Sequence, residues 1–265
     1  MTRRSRVGAL ACALGAALCA GYLAAASLAG PGASAARALA PPRTAAVARP
    51  PRAPAAPSRI SDGATTPPVE AKASAGSREV VFLHGMGERP EEACSVLGAA
   101  VPDRHALLCP RGDVAFGRGY TWGGAVLSMT ARVDRAEADY AVRHPGAIDA
   151  SRPALLIAFS QGAYVAMQIL SARPARVSAA LFIGADIQPT RAALAAAGVR
   201  RVAFAAGRYD MTSEPMRRSA RALEAAGVDA RFFDLGPVGH TYVAPDPSTV
   251  PEIVAWLASA PTEGS

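Results

Sequence analysis

Six short, mainly apolar runs recur between residues 79 and 235, and they leave few folds open. They are Glu79–Leu83, His105–Cys109, Ala154–Phe159, Ala179–Ile183, Val202–Ala206 and Ala230–Leu235. Continuous apolar runs of this length suit strands covered on both faces, as in a parallel sheet. Between and after them lie segments with helical spacing, near Glu91–Ala100, Thr130–Val142, Gly162–Ser171, Arg191–Ala197, Ser213–Ala226 and Val250–Ala258. Gly198 and Gly227 stand just past two of these, where a left-handed cap residue is expected. The alternation predicts a doubly wound α/β domain over 78–265, with a mainly parallel sheet of about six strands and flanking helices. Little sequence is left between the elements for a large cap domain.

In such sheets the ligand crevice lies beyond the carboxyl ends of the strands, so the polar residues just after each run are the candidates for chemistry. The run Ala154–Phe159 leads into Ser160-Gln161-Gly162 and then a helix. A serine on a sharp strand-to-helix turn is lifted above the sheet, and small residues two positions either side let the backbones approach. Here those residues are Ala158 and Gly162. Taken alone, such a serine could simply cap the helix. As a nucleophile it needs a base to take its proton.

The chain has four histidines. His105 opens a strand and His144 precedes Pro145 at a helix end, both structural positions; His84 directly follows the first strand. His240, in the Gly-rich loop Gly236-Pro-Val-Gly-His240 after the last strand, is the candidate base. Its imidazole requires a carboxylate to hold the tautomer. Asp210, in Gly207-Arg-Tyr-Asp210, is the favoured acid and Asp186 the rival. The order serine, aspartate, histidine is the one this type of fold uses. Acyl transfer also needs donors for a developing oxyanion. The amide of Gln161 is one candidate, and the amide of Met86, in the loop His84-Gly85-Met86-Gly87, is the other. His84 then shapes that loop and is not the base.

Five segments carry a family likeness: Phe82-Leu-His-Gly-Met-Gly87, Cys109-Pro-Arg-Gly112 followed by Tyr120-Thr-Trp122, Phe159-Ser-Gln-Gly162, Gly207-Arg-Tyr-Asp210, and Gly239-His240. Together they resemble the phospholipase/carboxylesterase group of α/β-hydrolases, which includes the acyl-protein thioesterases. The resemblance runs from about Val80 to Leu257. It implies ester or thioester hydrolysis through an acyl-enzyme, with no cofactor and no metal, and it makes Trp122 a substrate contact. Two departures bear on substrate class: Ala158 stands where the family has glycine, and Met-Thr-Ser-Glu-Pro after Asp210 lacks the usual Val-Pro.

The N-terminus reads differently. Arg3, Arg4 and Arg6 precede an apolar run from Val7 to about Ala29, and Ala33-Ser34-Ala35 fits a small-residue cleavage site. Residues 1–35 are therefore a signal peptide, or an uncleaved membrane anchor, of a protein exported to a periplasmic or extracellular space. Residues 36–77, rich in Pro, Ala, Arg and Ser, lack apolar periodicity and read as a disordered linker. The formal charge of +7 belongs to this region: ten Lys and Arg against two acidic residues lie before Glu79, and eighteen against nineteen follow. A near-neutral domain has no basic face for nucleic acid. Beyond the leader only Cys94 and Cys109 remain, a pair that an oxidising compartment would let persist as a disulfide. Their spacing does not match a zinc site.

The sequence thus predicts an exported serine hydrolase acting on small-molecule or surface-borne esters, with any membrane contact confined to the N-terminal segment. A peptidase or amidase with the same three residues is an alternative. So is a binding module on a hydrolase scaffold.

Overall fold

In the computed structural model, residues 69–70 and 75–259 are described. Residues 1–35, read above as signal or anchor, lie outside the described residues, as does most of the linker. The sheet has seven strands. They are β1 (Val69–Glu70), β2 (Arg78–Leu83), β3 (His105–Cys109), β6 (Ala154–Phe159), β7 (Val177–Ile183), β8 (Arg201–Ala206) and β9 (Asp229–Asp234), arranged β1-β3-β2-β6-β7-β8-β9. From β3 to β9 the neighbours are all parallel, which matches the six predicted strands. Ahead of the domain start expected at 78, Val69 and Glu70 pair antiparallel with Cys109 and Leu108 as an edge strand. A two-residue strand is too short to carry a hydrophobic period, so composition alone hid it. A hairpin of β4 (Val114–Phe116) and β5 (Gly119–Thr121) was likewise not foreseen.

Six helices cover the sheet among the described residues: α1 (Pro90–Gly98), α2 (Val126–Arg143), α3 (Gln161–Ala172), α4 (Arg191–Ala197), α5 (Ser213–Ala225) and α6 (Thr249–Ala258). Two of them show local reasons for where they start or stop. Pro90 opens α1 with Glu91 and Glu92 in its first turn, which suits the positive end of the helix dipole. Thr190 accepts the Ala193 amide at 3.1 Å to cap α4, and Gly198 ends that helix at φ +80°. In α5 the buried residues Met216, Ala220 and Leu223 recur at helical spacing.

Period-two alternation in the strands then builds two cores. Val81 and Leu83 face α2 to α5, whereas Val80 and Phe82 face α1 and α6. No helix among the described residues is long and apolar enough to cross a membrane. The longest excursion from the sheet between consecutive strands of it, residues 110–153, holds the β4–β5 hairpin and α2 and no cap domain.

The topology also places the crevice. The chain leaves β2 for β3 on one side and returns to β6 on the other. The order reverses beside β2, and Leu83 pairs with Ala158 at the carboxyl ends of β2 and β6. A crevice is expected above that point.

Candidate active site

Ser160 stands between β6 and α3 at φ +51° and ψ −119°, a sparsely populated conformation for a residue with a side chain. The turn holds because its surroundings over-determine it. The Ser160 amide donates to Ile183 O at 2.8 Å, and Gly162 lies where any Cβ would overlap the carbonyl oxygen of Leu83. Ala158 is buried in the core, so its methyl group is accommodated where the family has glycine. The hydroxyl of Ser160 does not cap α3. It lies 2.9 Å from Nε2 of His240.

His240 reaches the serine because the loop after β9 folds back across the ends of β8 and β7. A Cβ at Gly207 would overlap the carbonyl oxygens of Val238 and Gly239, so only glycine lets that loop pass. The amides of Arg208 and Tyr209 donate to Gly236 O and Val238 O at 2.8 and 2.9 Å, which stitches the two loops together. Nδ1 of His240 is then 2.8 Å from Oδ2 of Asp210. An ionised carboxylate can only accept, so Nδ1 carries the proton and Nε2 turns its lone pair to the serine hydroxyl.

The other oxygen of Asp210 accepts from the amide and the hydroxyl of Thr212, both at 2.9 Å. Burial works to raise the Asp210 pKa, but the Thr212 bonds and His240 outweigh it and hold the carboxyl below its ordinary value. Asp186, the rival acid, is exposed and bonds to none of these groups.

The loop after β2 approaches the same point. His84 is fully buried; its Nδ1 lies 2.7 Å from Gly85 O and its Nε2 accepts the Gly112 amide at 3.0 Å. That pattern fixes the neutral ring, and burial lowers its pKa accordingly. His84 shapes the loop, as expected. The amides of Gly85 and Gly87 are engaged, by Glu88 Oε2 at 2.6 Å and Tyr120 O at 2.8 Å. The Met86 amide between them has no acceptor among the described residues, nor does the Gln161 amide at the start of α3. Two uncommitted N–H groups at the ends of adjacent strands suit an oxyanion. The Gln161 side chain is spent elsewhere: Oε1 accepts from Thr121 Oγ1 at 2.6 Å and the Trp122 amide at 3.1 Å, and Nε2 donates to Trp122 O at 3.0 Å.

Trp122, expected as a substrate contact, is buried at 4 % exposure; its indole N–H donates to His84 O at 3.0 Å, and its ring packs on His84 at 5.2 Å. It braces the loop from behind. Cys94 and Cys109 are joined in a disulfide with a Cα–Cα distance of 5.9 Å, tying α1 to β3. Among the described residues no cluster of His, Cys, Asp and Glu could hold a metal ion.

Sequence reasoning missed Thr212 and Glu88, which bond Asp210 and the Gly85 amide. The spacing Asp210-x-Thr212 is a local side-chain-to-backbone signal that could have been read.

No protein-family model matches the sequence, and no curated protein does. Among solved structures the chain is similar to esterase PE8, at 21 % identity and a TM-score of 0.54 over 72 % of this chain and 98 % of that one. It is also similar to a Bacillus cereus carboxylesterase, at 17 % identity and a TM-score of 0.51 over 72 % and 92 % of the two chains. A third likeness is to an uncharacterized protein from Bacillus cereus ATCC 10987, at 14 % identity and a TM-score of 0.56 over 70 % and 61 %. At these identities the likeness is one of fold: the described domain has the α/β-hydrolase fold.

Proposed function

We propose that this chain is an exported serine hydrolase that cleaves carboxylic esters or thioesters through an acyl-enzyme. The observation that carries the reading is the unbroken hydrogen-bonded chain from Ser160 Oγ through His240 to Asp210, at 2.9 and 2.8 Å. In the first half-reaction Ser160 Oγ attacks the carbonyl carbon while His240 Nε2 takes its proton; the amides of Met86 and Gln161 receive the developing oxyanion. The tetrahedral adduct collapses as the imidazolium returns that proton to the departing alcohol or thiol. Water then repeats the sequence on the acyl-serine, and Asp210 steadies the imidazolium each time.

The rim favours esters with an apolar part. Met86, Tyr209, Met211 and Val243, each within three residues of a site residue, are exposed, and Met211 is 94 % exposed. Phe116, also exposed, lies against Gly87, where a Cβ would come 3.2 Å from its ring. Export is supported by the Cys94–Cys109 bond, since such pairs persist in oxidising compartments.

The test needs no knowledge of the substrate. The protein is treated with a fluorophosphonate, which captures activated serines, and labelling is read by intact mass beside Ser160→Ala and His240→Ala. One adduct per wild-type molecule, absent from both folded variants, is the expected result; panels of esters, thioesters and amides then separate esterase from amidase. A folded wild-type protein that takes no label points to the binding-module alternative.

A further inference from the structure

The two oxyanion donors leave the sheet in different segments. β2 and β6 stay paired as far as Leu83 and Ala158; the Met86 amide lies three residues past the first and the Gln161 amide three past the second. The segment Tyr120-Thr121-Trp122 meets both. It holds the oxyanion loop on either side of Met86: the Trp122 indole N–H donates to His84 O at 3.0 Å, and Tyr120 O accepts the Gly87 amide at 2.8 Å. From the nucleophile turn, the Gln161 side chain grips the same segment. Its Oε1 accepts the Thr121 hydroxyl at 2.6 Å and the Trp122 amide at 3.1 Å, and its Nε2 donates to Trp122 O at 3.0 Å. A main-chain N–H can only donate and a carbonyl oxygen only accept, so Trp122 fixes which end of the carboxamide is which. The carboxamide thus pairs with both main-chain groups of Trp122, as a residue of a neighbouring antiparallel strand would. Trp122 is itself held in place, buried with its ring on His84 at 5.2 Å.

Resting on the hydrolase reading above, we propose that the Gln161 side chain is a positioning group: by holding Thr121 and Trp122 it sets the Met86 amide against the Gln161 amide, so that both aim at one oxyanion. One residue then serves the oxyanion twice, through its own N–H and through the loop it restrains. Donors act only within a narrow range of the position the oxyanion takes, and misplacement by about 1 Å can cost about 100-fold in rate. Without the carboxamide, the Trp122 N–H and C=O both lose their partner, and the loop bearing Met86 can settle away from α3. The loss falls on the transition state, because a bound ester carbonyl carries little of the charge these donors meet.

The test compares wild type with Gln161→Met, Thr121→Val and Trp122→Phe in the full chain. Methionine keeps the length and removes all three bonds, valine removes only the hydroxyl bond, and phenylalanine removes the indole donor to His84 O. Three quantities are read: p-nitrophenyl butyrate kinetics, affinity for a trifluoromethyl ketone, whose adduct with the serine carries an oxyanion, and amide hydrogen exchange at Trp122. Gln161→Met is expected to lower kcat by about 10- to 100-fold with KM within about 3-fold, and Thr121→Val to fall between it and wild type. Ketone affinity should fall by the same factor as kcat/KM, and Trp122 exchange should quicken in Gln161→Met. The double variant Gln161→Met/Trp122→Phe should lose less than the product of the single losses, because both break one path. A folded Gln161→Met with wild-type kcat, a change confined to KM, unchanged ketone affinity or unchanged Trp122 exchange overturns the proposal. Should Gln161→Met not fold, Thr121→Val decides, and wild-type kcat and ketone affinity in that variant overturn it. A wild type that takes no fluorophosphonate label sinks the hydrolase reading and this proposal with it, whereas a labelled wild type beside an unaffected Gln161→Met overturns this proposal alone.

Discussion

Gly184 leaves the room in which the His240 imidazole sits: a methyl group there would come 3.0 Å from Cε1 of His240 and 3.1 Å from the Phe159 ring. Gly184 is also at φ +60°, at the end of β7. Gly184→Ala therefore carries a backbone cost of about 1–2 kcal/mol and presses on the imidazole and the Phe159 ring, which must shift to make room. Gly146→Ala makes the control, since Gly146 is at φ +76° with nothing within 4 Å of its added Cβ. Both variants should melt at lower temperature, but only Gly184→Ala should label with fluorophosphonate at least about 10-fold more slowly. Equal labelling rates in the two would mean that the imidazole and the Phe159 ring absorb the added methyl group without disturbing the serine.

The two carboxylates weighed from sequence are separated by substitution. Asp210→Asn keeps the shape but presents an amide to Nδ1, which favours the wrong tautomer; a loss of about 10,000-fold in kcat is expected from such a change. Asp186→Asn, at an exposed side chain with no tie to His240, should leave kcat unchanged. The Asp210 pKa is depressed in the fold, so its stabilisation is present above the unfolded value near 4 and is lost as pH falls through the lower folded value. Acid unfolding profiles of wild type and Asp210→Asn should therefore converge at low pH.

These residues also show what could be read from the chain. Ser160 follows its apolar run directly, and Asp210 and His240 end the short Gly-led loops after theirs, so their place above the sheet was legible from local pattern. The parallel strands were legible for the same reason, because burial on both faces leaves a continuous apolar signature. What escaped was held by contacts with no local period. Val69–Glu70 joins the sheet by backbone pairing with β3, which a two-residue segment does not announce in its sequence. The β4–β5 hairpin is three residues a side, and β4 is exposed throughout. The family likeness places Trp122 near the site, but no local pattern tells that its indole N–H donates to His84 O.

Glu79 gives a stability prediction that runs against the usual carboxylate case. It is buried in β2, with Oε1 lacking any hydrogen-bond partner and Oε2 3.5 Å from Arg176, which lies closer to Glu137 at 2.9 Å. Burial first, then the Glu137 charge, push its pKa up to about 7, against the pull of Arg176 and Arg173. The folded value exceeds the unfolded one, so its contribution is best below about 4.5 and declines as pH rises toward 7. Glu79→Gln removes the ionisation and keeps the shape. Denaturant melts at pH 8 should show it more stable than wild type by about 1–3 kcal/mol, with the gap closing by pH 4. A variant less stable than wild type at pH 8 would mean that the Arg176 pair outweighs burial.

The Cys94–Cys109 bond closes a loop with a sequence separation of 15, for which the chain-entropy model gives about 3 kcal/mol. Both cysteines are buried among apolar neighbours, so alanine keeps an apolar side chain at both positions. The double variant should lose about 3 kcal/mol of stability, and wild type should match it under reductant. The consequence for activity follows from where β3 leads. Three residues beyond Cys109 the Gly112 amide donates to His84 Nε2 at 3.0 Å, a bond that involves neither sulfur. Well below its lowered melting temperature the variant should therefore label with fluorophosphonate at a rate close to wild type. A folded variant that labels slowly would show that the crosslink shapes the oxyanion loop directly and does not act through stability alone.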